Sequence, residues 1–186
     1  NGNGVMDSIR NNIFIAFDEI SGLYLLQTMY RSFLHDKNYT LTEQERKETY
    51  RTAADCFMAD GRHMMEAIDC FTKGTCYREL LHAIQSIWNM HMGIGTSVAD
   101  YFLQQLDGLP EDFNEKNPLA DFLKASIYLN NLEIDRAYHL YLRLRDRLEK
   151  APPAEETMAL LGEVYMGLGS VHMLRNREDF GVYYKK

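Results

Sequence analysis

Residues 117–149 constrain the fold more than any other stretch. They read NPLADFLKASIYLNNLEIDRAYHLYLRLRDRLE. Leu119, Phe122, Leu123, Ser126, Ile127 and Leu129 recur at helical spacing, and so do Ile134, Ala137, Tyr138, Tyr141, Leu144 and Leu148. A stripe of period near 3.6 belongs to a helix with one apolar face. Asn117 is placed to cap the first helix, and Pro118 fits a first turn that needs no N–H. Asn130-Asn131 supplies the turn, because asparagine tolerates the left-handed conformation that ends helices. Glu133 and Asp135 at the start of the second helix, with Arg145, Arg147 and Lys150 at its finish, suit the helix dipole. A two-helix hairpin cannot bury both of its faces alone. It needs stacked neighbours, which is the physics of helical repeats.

The rest of the chain supplies such neighbours. Thr42 with Glu45 forms a capping-box pattern that opens a helix to about Ala59, with Tyr50, Ala53, Ala54 and Phe57 inward. Gly61 breaks it, and Met64 to Phe71 returns until Lys73-Gly74. Helices are then expected at Tyr77–Met90 and Ser97–Leu106, separated by Gly93-Ile94-Gly95 and closed by Gly108 and Pro110. Pro152-Pro153 precedes a long helix from Ala154 to Leu174. Asn176 is expected to turn the chain into a last helix from Arg177. Small residues sit at the expected packing points: Ala54 with Ala67, Ala125 with Ala137, Gly169 with Gly181. The N-terminal part differs. Ile13–Phe17 and Leu23–Leu26 read as two strands around a turn at Asp18–Gly22, followed by a helix at Thr28–Leu34. The expected fold is all-α: a degenerate tetratricopeptide-like array over residues 41–186, behind a β-hairpin and helix in residues 1–40.

Composition narrows the function. The 186 residues are 46% hydrophobic and 25% charged, enough for a real core, and the net charge of -7 makes the chain a poor polyanion binder. Three cysteines, Cys56, Cys70 and Cys76, do not form a disulfide framework, and with ten methionines they suit a reducing cytoplasm. No apolar run is long enough to cross a bilayer, and no signal peptide is legible. The NGNG start and the KK end, inside an amphipathic pattern, read as a segment of something longer.

Several residue sets invite a chemical reading. His63, Cys70 and Cys76 suggest a metal, but no C-x-x-C or H-x-x-x-H pair accompanies them, and His82 and His91 are nine apart. A Cys-His nucleophile lacks an orienting third group. Gly93-Ile94-Gly95-Thr96-Ser97 has no lysine and reads as an interhelical turn, not a phosphate loop. The doublets Glu111-Asp112 and Glu155-Glu156 compensate helix dipoles. Arg143, Arg145, Arg147 and Lys150 read as a solvated face with intrahelical ion pairs. The methionines and tyrosines at helical spacing read mainly as core, although both types also build binding surfaces.

Four stretches together resemble one family. These are Phe14–Asp18 through Tyr24 with Met29–Leu34; Tyr50–Phe57 with Glu66–Ile68 and Gly74–Leu81; Leu106–Pro110 with Asn117–Leu119; and Leu160–Val164 with Leu174–Asn176. In order and spacing they are similar to the middle of LuxR-type bacterial transcription regulators of the maltose-activator branch, which belong to the STAND signalling ATPases. Gln27 or Thr28 stands where that family usually has a histidine. The resemblance implies the end of a winged-helix arm followed by a helical-repeat sensor region, between an ATPase module and a C-terminal helix-turn-helix. Neither flank is in this sequence, and no G-x-x-x-x-G-K-[ST] occurs in it.

The expected function is therefore a regulatory module, not an enzyme. It binds a small effector or a protein partner, with self-association as a further possibility, carries no cofactor, and reaches DNA only through a domain outside this chain. The alternative is a stand-alone tetratricopeptide-like adaptor. In such repeats the first helix of each pair lines the binding surface. That register selects Arg51, Asp55 and Met58, then Phe122, Ser126 and Leu129, then Glu163, Met166, Ser170 and Met173.

Overall fold

A computed structural model describes residues 15–20, 23–26, 32, 40–90 and 95–183; for residues 176–183 it describes the backbone path only. The chain divides into two compact units, residues 1–50 and 51–186. In the first, β1 (Ile15–Asp18) pairs antiparallel with β2 (Leu23–Leu26), Phe17 opposite Tyr24 with ring centroids 5.1 Å apart. Asp18 Oδ1 accepts from the Ile20 N–H at 3.2 Å, a local turn bond typical of aspartate. The expected helix at Thr28–Leu34 lies outside the described residues, apart from Ser32.

Eight helices follow among the described residues, packed in sequential pairs. They are α1 (Glu43–Asp60), α2 (Met64–Lys73), α3 (Tyr77–Met90), α4 (Thr96–Asp107), α5 (Glu111–Lys116), α6 (Pro118–Asn130), α7 (Ile134–Leu148) and α8 (Glu155–Tyr183). Helix α2 packs on α3, α6 on α7, and α7 on α8, while α3, α4, α5 and α8 all touch α6. Two apolar cores result. The first gathers Ala54, Ala67, Ile68, Leu80, Ile84, Phe102, Leu106 and Leu123; the second gathers Ala125, Ala137, Tyr141, Leu144, Val164 and Val171. The alanine pairs named from sequence are thus fully buried, each pair within one core.

Local chemistry explains the helix ends. The capping box forms: the Glu45 N–H donates to Thr42 Oγ1 at 3.3 Å, and the Thr42 N–H donates to Glu45 Oε2 at 2.8 Å. Gly61 has φ +72, which ends α1 in the left-handed region. Asn117 departs from expectation. Its side chain makes no capping bond to α6; its Nδ2 donates instead to the Phe113 carbonyl at 2.7 Å. The short α5, which the sequence reading did not anticipate, leaves carbonyls at its end that need donors, and the Asn117 amide supplies one.

The turn of the central hairpin is also built differently. Asn130 is helical and Asn131 has φ -79, so neither takes the left-handed conformation; Leu132 does, at φ 60. The Glu133 N–H reaches back to the Tyr128 carbonyl (2.8 Å) and the Leu132 N–H to Leu129 (3.1 Å), the paired bonds of a Schellman ending. Thr75, at φ 53, does the same after α2, where Gly74 keeps an ordinary φ of -81. The hydrogen bonds place the left-handed residue, and they select it by position instead of by side chain. Leu132 is 70% exposed, so it gives up little burial if shortened. Leu132→Gly is therefore expected to raise the unfolding free energy by about 0.5–1 kcal/mol, the left-handed penalty less the added freedom of the unfolded chain. A shift of the urea midpoint upward checks it.

A third expectation is overturned. Asn176 does not turn the chain: α8 runs unbroken through it to Tyr183. Gly169 and Gly181 therefore lie on one helix and are not a packing pair between two. Asparagine inside a helix costs only about 0.7 kcal/mol relative to alanine. Arg175, Arg177 and Glu178 around it are good helix formers, and no proline follows.

Candidate functional site

Tyr141 lies where the last three helices meet. It is on the inward stripe of α7 and only 2% exposed. Its hydroxyl is 3.1 Å from Ser126 Oγ on α6, and its ring centroid is 6.2 Å from that of Phe122, one turn earlier on the same helix. Gly167 of α8 covers the ring: a Cβ there would fall 2.5 Å from Tyr141 Cζ. Burial raises the Tyr141 phenol above its ordinary range; the Ser126 hydrogen bond works against this, and the negative charge of Glu163 adds to it. So α6, α7 and α8 bring Phe122, Ser126 and Glu163 to one side of the stack, around a neutral phenol that can donate or accept.

The other residues selected from sequence are distributed differently. Arg51 lies on α1, exposed and 3.3 Å from Glu79 of α3; Asp55 is exposed nearby, and Met58 packs against the first core. Leu129 is half-buried against the second core. Met166 and Met173 are exposed on α8, and the Ser170 hydroxyl donates to the Met166 carbonyl of its own helix at 3.0 Å. The structure thus groups Phe122, Ser126 and Glu163. It leaves Arg51 and Asp55 exposed on α1 and packs only Met58 against the first core.

A groove that the sequence reading missed lies on the opposite face of α6. Residues two apart on a helix point about 200° apart, so Lys124 and Tyr128 face away from Phe122 and Ser126. With α7 and the end of α4 they border an open groove of about 660 Å³, whose charged lining is Asp107, Asp121, Asp146, Lys124, Arg136 and Arg143, with Tyr128 and His139 between them. Lys124 Nζ is 2.6 Å from Asp107 Oδ1. The Arg136 guanidinium lies 5.5 Å from the Tyr128 ring centroid and pairs with Glu133 at 2.7 Å. Arg147, read as part of a solvated run, reaches across to α6 instead: its guanidinium is 3.9 Å from Asp121 and donates to the Glu115 carbonyl. Arg145 pairs with its neighbour Asp146 at 2.6 Å. Among the described residues, Arg143 and His139 make no ion pair. The legible signal was the spacing of Arg136, His139 and Arg143 along one face of α7. Reading the arginines as a run by adjacency hid it.

Among the described residues, three tyrosines have raised phenol pKa values. For Tyr101 the main cause is burial, reinforced by its 2.5 Å bond to Asp69; for Tyr141 it is burial; for Tyr165 it is the 2.6 Å bond to Glu149. A folded-state pKa above the unfolded value favours folding fully below about pH 10 and loses that contribution as pH rises further. We expect ultraviolet titration at 25 °C to show late-ionising phenols, with stability falling on the alkaline side as they titrate. Ionisation of all twelve tyrosines in one transition near pH 10 contradicts this.

Among the described residues, no three His, Cys, Asp or Glu side chains are grouped to hold a metal ion. Nor is any described helix long and apolar enough to cross a membrane. His63 lies 3.2 Å from Glu66 and 3.7 Å from Asp60, between α1 and α2. Of the Gly93–Ser97 loop, only Gly95 onward is described, and Gly95 precedes α4. Comparison with protein-family models, with curated proteins and with solved structures finds no match.

Proposed function

We propose that this chain is the sensor and interaction module of a LuxR-type transcription regulator, a degenerate tetratricopeptide-like array preceded by the end of a winged-helix arm. The observation that carries this reading is the α6–α7–α8 stack. There α8 packs on α7 and also returns to touch α6, as the first helix of a following repeat does. Such a stack presents side chains from successive helices to one ligand without needing a reactive centre. The ligand is a small effector with an acidic group, held in the groove between α6 and α7 by Arg143 and His139, while Asp107, Asp146 and Asp121 face Lys124, Arg145 and Arg147. Coupling to an ATPase and a DNA-binding domain outside this chain requires the effector to bind the two states of the switch with different affinity. The exposed methionines of α8 favour a second reading, an adaptor that takes a protein partner.

A thermal-shift screen of sugars, amino acids and nucleotides tests the first reading, since a ligand of the native state raises its melting temperature by mass action. An acidic member of the panel is expected to raise it, and Arg143→Ala to abolish the shift. Loss of the shift in Ser126→Ala and Glu163→Ala instead would move the effector to the Tyr141 side, and loss in Arg51→Ala or Asp55→Ala to α1. No shift with any member would reject the small-effector reading in favour of the adaptor.

A further inference from the structure

Helix α8 is apolar on two sides. Leu160, Leu161, Val164, Leu168 and Val171 pack toward α7. The opposite side carries Met158, Met166 and Met173, 57%, 62% and 64% exposed, with Gly162 and Gly169 between them and Tyr165 at the margin. A Cβ at either glycine would meet nothing within 4 Å, so neither glycine is required by packing inside this chain. The hydroxyl of Ser170, beside the seam, is satisfied by its own helix.

The order of residues says what covers it. Gly162 lies three residues before Tyr165, and Gly169 three after Met166. Met158 lies seven before Tyr165, and Met173 seven after Met166. The seam therefore maps onto itself under a two-fold axis passing between Tyr165 and Met166. In an antiparallel pair, Met158 lies opposite the partner's Met173, Gly162 opposite the partner's Gly169, and Tyr165 opposite the partner's Met166. In this arrangement the two helix dipoles oppose, and Arg175, held on the other side of the helix by Asp135 at 2.5 Å and by the Tyr138 ring, takes no part in the seam. We propose that α8 docks on α8 of a second copy of this chain, antiparallel, with the glycines letting the axes approach and the methionines filling the space beside them. This does not rest on the effector site proposed above.

The seam is about 24 Å long at 1.5 Å per residue. It buries on the order of 1,000 Å² in total, the low end for a specific interface, so the dissociation constant is expected at roughly 10–100 μM. Sedimentation of the whole chain from about 5 to about 500 μM is expected to show monomer passing to dimer. Met166→Glu is expected to stay monomeric throughout, with an unchanged melting temperature at the dilute end, because that side chain is exposed in the monomer. A monomeric wild type at the highest concentration, or a Met166→Glu variant that dimerises equally, would overturn the proposal. Orientation is read by crosslinking in a Cys56→Ser background. Protomers carrying Met158→Cys are expected to link to protomers carrying Met173→Cys and not to themselves. Self-linking of each would mean a parallel pair and would overturn it as well.

Discussion

Gly167→Ala is expected to destabilise the chain by about 2 kcal/mol, although alanine is the better helix former. The added methyl would stand 2.5 Å from Cζ, 2.7 Å from Cε1 and 2.8 Å from Cε2 of Tyr141. The ring cannot retreat, because it is buried against Phe122 and tied to Ser126. Overpacking of this kind costs about 3 kcal/mol, and the gain in helix propensity offsets about 1 kcal/mol. In a chain of this size the melting temperature should fall by roughly 4–8 °C. Gly162→Ala and Gly169→Ala, on the same helix with open space at the Cβ, are expected to gain up to about 1 kcal/mol in dilute solution. A Gly167→Ala protein that melts no lower than these two would show that α8 does not press on Tyr141. A double-mutant cycle with Tyr141→Leu, which removes the obstructing Cζ, Cε1 and Cε2 together with the hydroxyl, should recover part of the loss.

Phe102→Ala is expected to cost more, about 3–5 kcal/mol, through lost burial and the cavity left behind. Phe102 is fully buried on α4, in the first core with Ala99 and Leu106. Gly167 contacts the second core, so the two losses should add to within about 0.5 kcal/mol in the double variant. Chemical denaturation of the two single variants and the double checks both the size and the additivity. A Phe102→Ala loss below about 1 kcal/mol would mean that the first core is not packed as described.

Much of this architecture was legible from residue spacing. The stripes of α6 and α7 fixed which sides are buried, and the Thr42–Glu45 box fixed where α1 starts, because both signals are local and repeat every turn. The alanines at positions 54, 67, 125 and 137 marked close approaches for the same reason. What failed were inferences from single residue types. Asn117 makes no cap bond, Asn131 ends its helix without the left-handed conformation, and Asn176 does not end one at all; the preference of an asparagine is worth less than about 1 kcal/mol, and the surrounding hydrogen bonds outweigh it. Leu132 and Thr75 occupy the left-handed positions because their N–H groups are needed there, which composition cannot reveal. Of the site, the register rule brought Phe122, Ser126 and Glu163 to the Tyr141 junction, since all three flank a small or inward residue on neighbouring helices. It did not find the groove beside Lys124 and Tyr128: the spacing of Arg136, His139 and Arg143 marks one wall, but the other depends on how α4 lies against α6, a long-range relation.

Phe122 packs against both cores. One side chain on α6 is thus shared by the helices before it and those after it. Phe122 is the side chain through which a strain in one core would reach the other.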